Sequence, residues 1–304
     1  MKRLMTICAV IVLFSASYAR AGAWSTLDYP GAPNTHPARS SGSYVFGLYD
    51  NVEGDFSSAH GFLYDGTDWT TRDYPDAFGT VIYGISGNNM LLGNYNDASG
   101  HTHSFLGAWD WTSWTSVDKP ESAWTAAFGI DGENIVGYYG DVPGEAGAHG
   151  FLYDGTTWTI LDMPGVGVSL TIPSGISGSK IVGSYHDASG WHGFLYDMST
   201  AHWTTIDAFG VPGAELMDID GSNIVGCDYA GGHGVFYNGT SWTYLDMPGA
   251  HATFASGIDG NNIVGGYIDP ASGHYRGFLY VIPEPGALSL LTLGGLALLR
   301  RHRA

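Results

Sequence analysis

The chain has 304 residues, of which 44% are apolar, 14% are aromatic and only 13% are charged, and its formal net charge is −18. Such a high aromatic content excludes a disordered chain, and the negative charge argues against nucleic acid or an anionic lipid surface as a partner. The 46 glycines indicate many tight turns.

The N-terminal segment has the three parts of a secretory signal peptide. Lys2 and Arg3 give it a basic start, an apolar run follows from Met5 to Ala16, and Ala19-Arg20-Ala21 supplies an Ala-x-Ala cleavage site. The apolar run is too short for a stable membrane span. We therefore expect residues 1–21 to be a signal peptide that is removed on export, with an uncleaved anchor as the alternative.

The body of the chain consists of six degenerate repeats. The heptapeptide His60–Gly66 returns unchanged as His149–Gly155, and altered copies complete the series at intervals of 41 to 46 residues. The altered copies begin at His103, His192, His233 and Arg276. Two further motifs recur with it, a Trp-containing strand, as in Trp158–Asp162, and Gly-Ile-(Ser/Asp)-Gly with a following β-branched pair, as in Gly129–Gly137. A worn first copy at Thr35–Gly47 aligns with a later one without a gap, so every motif occurs six times.

Each repeat predicts four short strands separated by turn residues. In the clearest copy these strands cover Ser169–Ile176, Lys180–Tyr185, His192–Tyr196 and Trp203–Asp207. The sequence between Trp24 and Tyr280 contains no segment with the length or the 3.6-residue period of a helix. Four-stranded meanders at this period are typical of β-propeller blades.

The two ends of the repeat region decide how the array closes. It starts on a fourth strand, Trp24–Asp28, and finishes on a third strand, Gly277–Tyr280, so one blade is divided between the termini. Pairing of these segments removes the exposed edges that an open array would present. We therefore predict an all-β fold, a six-bladed β-propeller over residues 24–280 whose last blade is closed by the N-terminal strand. A β-solenoid or another β-repeat array is the alternative.

The C-terminal segment combines a Pro-Glu-Pro tripeptide, an apolar stretch over residues 286–299 and a basic end. Its marker residues are Pro283, Glu284, Pro285, Arg300, Arg301 and Arg303. About 14 apolar residues at ~1.5 Å each span only part of a ~30 Å bilayer core, which makes a marginal transmembrane helix. The basic cluster can halt such a segment with its charges on the cytoplasmic side.

This C-terminal pattern resembles the PEP-CTERM sorting signal of Gram-negative and related bacteria. The resemblance covers residues 281–304 and implies recognition by an exosortase-type processing enzyme, with cleavage near the Pro-Glu-Pro. We expect an exported protein at the cell surface or outside the cell, with a short C-terminal membrane segment before processing. The His-Gly-Phe-Leu-Tyr and Gly-Ile motifs of the body resemble the HAF repeats of predicted bacterial extracellular proteins, and that resemblance implies no activity and no catalytic residue.

Removal of both end segments would leave a strongly acidic body. Five of the 11 Lys and Arg residues lie between them, against 28 of the 29 Asp and Glu residues. Cys8 belongs to the signal peptide, so Cys227 is the cysteine of the mature chain and an internal disulfide is impossible.

The most suggestive polar residues are aspartates in the loop between the second and third strands. They are Asp97, Asp141, Asp187, Asp228 and Asp269, with Asn51 at or near the equivalent place in the first copy. Propeller topology places these loops on the face that carries the links between blades. Carboxylates there could bind Ca²⁺ through hard oxygen ligands, and Ca²⁺ is the one cofactor that the sequence suggests. Asp-x-Ser-Gly is also ordinary turn chemistry, with the aspartate capping its own loop.

The repeated histidines and tryptophans have structural interpretations. One histidine per blade places the five imidazoles far apart around a ring, whereas zinc needs three or four ligands at about 2 Å, so we expect structural histidines. The repeated tryptophans should pack within blades. Trp109, Trp111 and Trp191 lie outside that register and are the better candidates for exposure and for stacking on sugars.

The sequence contains no nucleophile elbow, zinc-protease motif or phosphate loop. We therefore expect a surface-displayed, non-enzymatic propeller for adhesion or for association with extracellular matrix or exopolysaccharide. The alternative is a carbohydrate-active hydrolase or lyase that works at the propeller axis, because the fold hosts many functions.

Overall fold

The computed structural model describes residues 22–50, 59–86, 89–144 and 147–283. The chain divides into a compact unit, Trp24–Val281, and a second unit made of the two chain ends, which lies almost wholly outside the described residues. The signal peptide and the sorting tail beyond Pro283 therefore lie outside the described residues.

The compact unit is built from strands arranged in six four-stranded sheets. In chain order the strands are β1 (Ala23–Leu27), β2 (Asn34–Ser41), β3 (Tyr44–Asp50), β4 (His60–Tyr64), β5 (Trp69–Thr71), β6 (Gly79–Ile85), β7 (Met90–Asn96), β8 (Thr102–Ala108), β9 (Trp114–Ser116), β10 (Trp124–Asp131), β11 (Asn134–Gly140), β12 (His149–Tyr153), β13 (Trp158–Ile160), β14 (Leu170–Ser177), β15 (Lys180–Asp187), β16 (Gly190–Asp197), β17 (His202–Thr205), β18 (Ala214–Asp220), β19 (Asn223–Asp228), β20 (His233–Tyr237), β21 (Trp242–Leu245), β22 (Ala252–Asp259), β23 (Asn262–Ile268) and β24 (Tyr275–Val281).

Each sheet is one blade of a closed ring. Blades one to five take four consecutive strands each, starting at β2, and the sixth has the order β1-β24-β23-β22. The innermost strand of every blade contacts that of the next, and β22 of the sixth contacts β2 of the first. The predicted six-bladed β-propeller, closed by the N-terminal strand, is therefore confirmed, and the solenoid alternative is wrong.

Closure of the sixth blade uses side chains as well as strand pairing. Trp24 packs on Phe278 and Tyr280, with ring centroids 5.1 and 4.6 Å apart. Arg276 donates a 2.5 Å hydrogen bond to the carboxylate of Asp28. The first and last strands are thus held by an aromatic cluster on one side and an ion pair on the other.

The blade core explains two of the repeat motifs. The Phe of His-Gly-Phe is fully buried in five blades, as in Phe194, and faces the glycine that ends the Ile-Val-Gly motif of the neighbouring strand, Gly183. A Cβ on Gly183 would lie 2.9 Å from Cζ of that ring and 2.0 Å from the carbonyl oxygen of Ile172. A glycine is therefore needed at position 183, because both the Phe194 ring and the backbone of the innermost strand approach the second strand there.

A β-bulge interrupts every innermost strand at the same position. It falls between Pro37 and Arg39 in the first blade and between Pro173 and Gly175 in the fourth. The extra residue in each bulge is Ala38, Tyr83, Phe128, Ser174, Met217 or Ser256. A bulge redirects the side chain of its extra residue. Here it turns one side chain per blade towards the propeller axis, and we call these six the bulge residues.

The two faces of the ring differ in what they carry. We call the face with the inter-blade links and the second-to-third-strand loops the link face, and the opposite one the turn face. On the turn face, the Ser or Asp of Gly-Ile-(Ser/Asp)-Gly accepts a hydrogen bond from the backbone N–H of the next blade's turn. The pairs are Asp131–Gly178 at 2.6 Å, Ser177–Gly221 at 3.1 Å, Asp220–Gly260 at 2.8 Å and Asp259–Gly42 at 2.5 Å. This motif therefore joins neighbouring blades.

Candidate functional site

The propeller axis is blocked by one arginine. Arg39 is 8% exposed, and its guanidinium donates to the carbonyl oxygens of four bulge residues. The acceptors and distances are Ala38 at 2.9 Å, Ser174 at 2.8 Å, Met217 at 2.7 Å and Ser256 at 2.5 Å. A planar fork of N–H donors suits such a ring of carbonyl groups.

Asp218 balances the charge of this arginine. Its carboxylate lies 3.4 Å from Nε of Arg39 and accepts a 2.9 Å hydrogen bond from the backbone N–H of Ile258. Burial raises the pKa of Asp218, and the neighbouring Arg39 charge opposes that rise. The axial channel is thus divided by a buried ion pair.

Arg39 and Asp218 occupy equivalent positions in the repeat. The other four blades have glycine there, where inner strands approach closely. A Cβ on Gly175 would lie 2.7 Å from Cα of Asp218, and one on Gly257 would lie 2.7 Å from Cα of Arg39. The gapless alignment of the first copy already places Arg39 on this glycine, so the pair of exceptions could have been found in the sequence.

A cavity of about 340 Å³ lies on the link-face side of the Arg39–Asp218 ion pair, and we call it the axial cavity. That volume falls within the range of small-molecule sites, roughly 300–1,000 Å³. The six bulge residues and Arg39 line its inner part. The residues two positions before the bulge residues lie nearer the link face and form its wall. They include His36, Val81, Ile172 and Glu215. Arg39 also lines a separate cavity of about 230 Å³ on the turn-face side.

One side of the axial cavity is aromatic. Tyr83 and Tyr138 pack against Phe128 with ring centroids 5.2 and 5.6 Å apart, and we call these three rings the aromatic wall. They belong to blades two and three, whereas Glu215 belongs to blade five. In a ring of six, blade five lies across the axis from blade two. The cavity therefore sets a carboxylate opposite a hydrophobic surface.

A fourth ring enters the cavity from the sixth blade. Tyr275 reaches over Gly266, where an added Cβ would lie only 1.8 Å from its ring carbon Cε1. The glycine makes this approach possible. Tyr275 then stacks on His36, with centroids 4.1 Å apart and planes 20° apart.

His36 is held neutral in this setting. Burial lowers its pKa to about 4, and the carboxylate of Asp50, 3.6 Å from Nε2, only partly opposes that shift. Asp50 is fully buried and accepts a 2.8 Å hydrogen bond from the side chain of Asn34. At neutral pH the imidazole therefore offers hydrogen bonding without adding positive charge to the cavity.

A smaller cavity adjoins the first at the aromatic wall. It measures about 190 Å³ and is lined by His101, Trp124 and, again, Tyr138. The indole N–H of Trp124 donates to the carbonyl oxygens of Val142 and Gly144, at 3.1 and 2.9 Å. Because Tyr138 lines both cavities, a ligand longer than one ring could contact both.

The repeated histidines are paired with aspartates and do not converge on a centre. In each of five blades Nδ1 of the histidine lies 2.6–3.0 Å from the carboxylate of the aspartate that follows the fourth strand. The pairs are His60–Asp73, His103–Asp118, His149–Asp162, His192–Asp207 and His233–Asp246. Arg276 and Asp28 take these places in the sixth blade. The structural interpretation of these histidines is confirmed.

Four of the five loop aspartates accept hydrogen bonds from backbone N–H groups of their own loops. Oδ1 of Asp97 accepts from the N–H groups of Ser99 and His101 at 2.8 and 2.9 Å, and these hydrogen bonds lower its pKa. Asp187 and Asp269 accept from their own loops in the same way. Asp228 differs, since it stands on β19 at the position that is tyrosine in the other blades and accepts from Gly231.

Some loop aspartates also contact the histidine of their blade. His103 bridges Asp97 and Asp118, and His192 bridges Asp187 and Asp207, so loops and links do share a face. Among the described residues no group of three or more His, Cys, Asp or Glu side chains could hold a metal ion. Calcium binding by these loops, Asp141 included, stays a prediction, which a calcium titration of the melting temperature tests.

The tryptophans outside the register are less exposed than expected. Trp109, Trp111 and Trp191 are all half-buried. Trp111 packs on Trp114 with centroids 4.1 Å apart, and its indole N–H donates to the carbonyl oxygen of Asp73 at 3.1 Å. The expectation that these three are more exposed than the repeated tryptophans is not met, because both groups are half-buried. The repeated tryptophans pack within blades as predicted, Trp203 on Phe194 for example.

Of the sorting-signal residues the structure describes Pro283, whereas Glu284, Pro285 and the three arginines lie outside the described residues. Within the part of the chain that the structure describes, no helix is long and apolar enough to cross a membrane.

No protein-family model matches the chain, and no curated protein matches it. Solved structures do. The fungal lectin of Aleuria aurantia, a six-bladed β-propeller, is 13% identical, with a TM-score of 0.50 over 86% of this chain and 99% of the lectin. TolB from Acinetobacter baumannii is 10% identical, with a TM-score of 0.51 over 78% of this chain and 63% of TolB. The β-propeller domain of the Trilobed protease from Pyrococcus furiosus is 10% identical, with a TM-score of 0.51 over 82% and 81%. At these identities the similarity establishes the propeller fold alone.

Proposed function

We propose that this protein is an exported, non-enzymatic glycan-binding propeller that associates with exopolysaccharide or another extracellular matrix component. The axial cavity carries this proposal. It is a blind pocket on the link face, with aromatic rings on one side and hydrogen-bonding groups, His36 and Glu215, elsewhere in its wall. Aromatic faces suit the apolar faces of sugar rings, and convergent polar groups suit their hydroxyls.

The rival is a carbohydrate-active hydrolase or lyase, and the lining of the same cavity argues against the hydrolase. Glycoside hydrolases use two carboxyl groups about 5–9.5 Å apart across the scissile bond. Among the described residues that line the axial cavity, Glu215 is the one carboxylate. Asp218 is engaged below it by Arg39 and by the backbone of Ile258. A hydrolase of this kind would require a second carboxyl group, which the described lining of the cavity does not supply.

The proposed location rests on the two ends of the chain. The N-terminal segment has the parts of a signal peptide, and residues 281–304 resemble a PEP-CTERM signal that an exosortase-type enzyme would process near Pro285. Replacing Arg300, Arg301 and Arg303 with Ser should release or misroute the protein, because the stop signal is electrostatic. Intact residues 286–304 in mature surface protein would contradict the sorting proposal.

Glycan-array binding combined with a polysaccharide-turnover screen tests the function. The proposal expects binding of at least one glycan class without release of shorter products. Tyr138→Ala should weaken that binding, because Tyr138 lines both cavities, whereas Tyr153→Ala, on the outer part of the same blade, should not. Depolymerisation of a bound polysaccharide would favour the enzyme instead.

A further inference from the structure

Exposed aromatic side chains are concentrated on blade five. In the part of the chain that the structure describes, four aromatic side chains are exposed, Phe78, Phe209, Tyr229 and Tyr244, at 57%, 43%, 52% and 48%. The last three lie at the link-face edge of blade five. Tyr229 is in its second-to-third-strand loop, Tyr244 is near the end of its outer strand β21, and Phe209 is in the link that enters the blade.

This exposure follows from an exchange of one residue in the repeat. In the other five blades a tyrosine on the second strand stands opposite the first residue of the His-Gly-Phe motif, as Tyr185 stands opposite His192. In blade five that position is Asp228, opposite His233. Tyr185 packs on His192 with ring centroids 5.1 Å apart, whereas Tyr244 packs on His233 at 4.5 Å. The ring that contacts the histidine has thus moved from a buried second strand to the exposed outer strand.

Phe209 adds a second ring to this surface from a strained position. Proline stands at its place in the links before and after, as Pro164 and Pro248. The φ of Phe209 is 55°, in the left-handed region that disfavours a bulky side chain. Its ring packs on Tyr244 with centroids 4.3 Å apart but is otherwise largely open. Strain of this kind is typical of functional positions. We call Phe209 and Tyr244 the rim pair.

The sheet edge between the axial cavity and the rim pair is the least covered by loop. Residues 229–232, four in number, connect Asp228 to His233, whereas six to ten residues connect the equivalent positions of the other blades. At the inner end of this edge Met217 lines the axial cavity. Tyr229 lies between the cavity and the rim pair. The edge of blade five therefore offers a course from the cavity, past one exposed ring, to two more.

The length and charge of this course restrict what can follow it. From β18 to β21 it crosses four strands spaced about 4.8 Å apart, which matches about four sugar units in an extended chain. The body carries five basic against 28 acidic residues, and Asp228 and Asp246 lie along this edge, so an anionic chain is repelled. Aromatic rings suit sugars whose substituents are equatorial, because both faces of such sugars present C–H groups.

From this arrangement we infer that the protein binds a linear, neutral glycan that runs from the axial cavity across the link-face edge of blade five to the rim pair. The inference rests on the proposed glycan-binding function and names the class and course of its ligand. One end of the chain enters the cavity, the next units pass Tyr229, and a later unit stacks on Phe209 and Tyr244. Equatorial linkages, as in β-1,4-linked glucose or N-acetylglucosamine, keep the chain extended enough to make both contacts.

The test is titration calorimetry of purified protein with cello-oligosaccharides and with N-acetylglucosamine oligosaccharides of two to six units. In the series that binds, the affinity of wild-type protein should rise about tenfold from the disaccharide to the pentasaccharide. Tyr244→Ala should remove that gain and leave disaccharide binding unchanged, because a disaccharide does not reach the rim. Phe78→Ala removes an equally exposed ring between blades one and two and should keep the gain.

A second variant, Phe209→Gly, separates binding from stability. Glycine adopts a φ of 55° without strain, which offsets the lost contact with Tyr244, so the variant should melt close to wild type and still lose the gain. It also decides the matter if Tyr244→Ala does not fold.

The outcomes separate this inference from the proposed function. Affinity that is independent of chain length, a gain that survives loss of the rim rings, or binding of neither series overturns the inference. The proposed function stands in those cases if another arrayed glycan binds. Binding of no glycan at all overturns both.

Discussion

Arg39 and Asp218 replace glycine at the same repeat position in two different blades, and their side chains meet at the axis with Nε and Oδ2 3.4 Å apart. The two exceptions depend on each other, because each would be an uncompensated buried charge alone. Together they convert the channel of the ring into a blind cavity.

The first prediction concerns this ion pair. Arg39→Gly should lower the free energy of unfolding by about 3–5 kcal/mol, since it leaves Asp218 buried without its partner. Adding Asp218→Gly, which gives both blades the residue of the other four, should recover part of that loss. Urea unfolding of both single variants and the double variant measures the coupling.

The pH dependence of Arg39→Gly provides an independent check. Burial already raises the pKa of Asp218, and loss of the arginine should raise it further. A raised carboxyl pKa means that the folded state holds a proton that the unfolded state releases. The variant should therefore be least stable at high pH. As the pH falls, the difference in free energy of unfolding between wild type and variant should become smaller. A deficit that is independent of pH would contradict the buried-charge explanation.

The second prediction compares two of the His–Asp pairs. The His192 and Asp207 side chains are 10% and 14% exposed, whereas those of His149 and Asp162 are 40% and 39% exposed. Asp207→Ala should cost about 1–3 kcal/mol because it leaves buried donors unpaired. Asp162→Ala should cost under about 1 kcal/mol, as for an exposed pair. Thermal unfolding of the two variants distinguishes them, and equal losses would be the contrary result.

The third prediction concerns closure of the ring. Deleting residues 22–30 removes the outer strand of the sixth blade and its contacts with Phe278, Tyr280 and Arg276. The deletion should cost several kcal/mol and expose a sheet edge. Arg276→His, which places the residue of the other blades opposite Asp28, should stay close to wild type. Unchanged melting of the deletion variant would mean that the strand does not hold the ring closed.

The fourth prediction uses the neutral histidine of the axial cavity. Because burial lowers the pKa of His36 from 6.5 to about 4, the unfolded state takes up a proton in this window that the folded state refuses. Stability should fall as the pH drops from 6.5 towards 4, by on the order of 3 kcal/mol from this residue. In His36→Gln the slope over this window should be smaller, and an unaltered slope would show that other groups account for it.

The fifth prediction concerns Cys227. Its side chain is 1% exposed, and burial raises the pKa of its thiol to about 12. Since the thiolate is the reactive form, protein without residues 1–21 should resist iodoacetamide at pH 8. Unfolding in urea should make the thiol react fully, and rapid labelling of native protein would contradict the buried position.

Sequence periodicity was sufficient for the fold because the blade is a local pattern. The motif Gly-Ile-(Ser/Asp)-Gly, the Trp strand and His-Gly-Phe each recur six times, so strand number, blade order and closure by Trp24–Asp28 followed from counting. The axial cavity did not follow. Its shape depends on a β-bulge that redirects Tyr83 and Phe128, and a bulge has no period of its own in the sequence.

The charged residues of the site were visible in the sequence but not interpretable there. Glu215 stands out as a break in the repeat. The sequence does not show that the aromatic residues of blades two and three lie across the axis from it. Arg39 and Asp218 are 179 residues apart in the chain, and only the ring brings them together. Departures from a repeat on the innermost strands are best compared by blade position, because equivalent positions on those strands converge at the axis.

The pairing of β1 with β24 also sets an order of events in time. During synthesis the strand Ala23–Leu27 is made first and the strand Tyr275–Val281 last. The first strand therefore has no pairing partner until nearly the whole propeller sequence has been made. Blades one to five need only contacts between consecutive strands, whereas the sixth joins residues about 250 positions apart. Contacts of such long sequence separation form slowly. The ring is therefore expected to close as its final and slowest step, after five finished blades have already brought β1 and β24 close together.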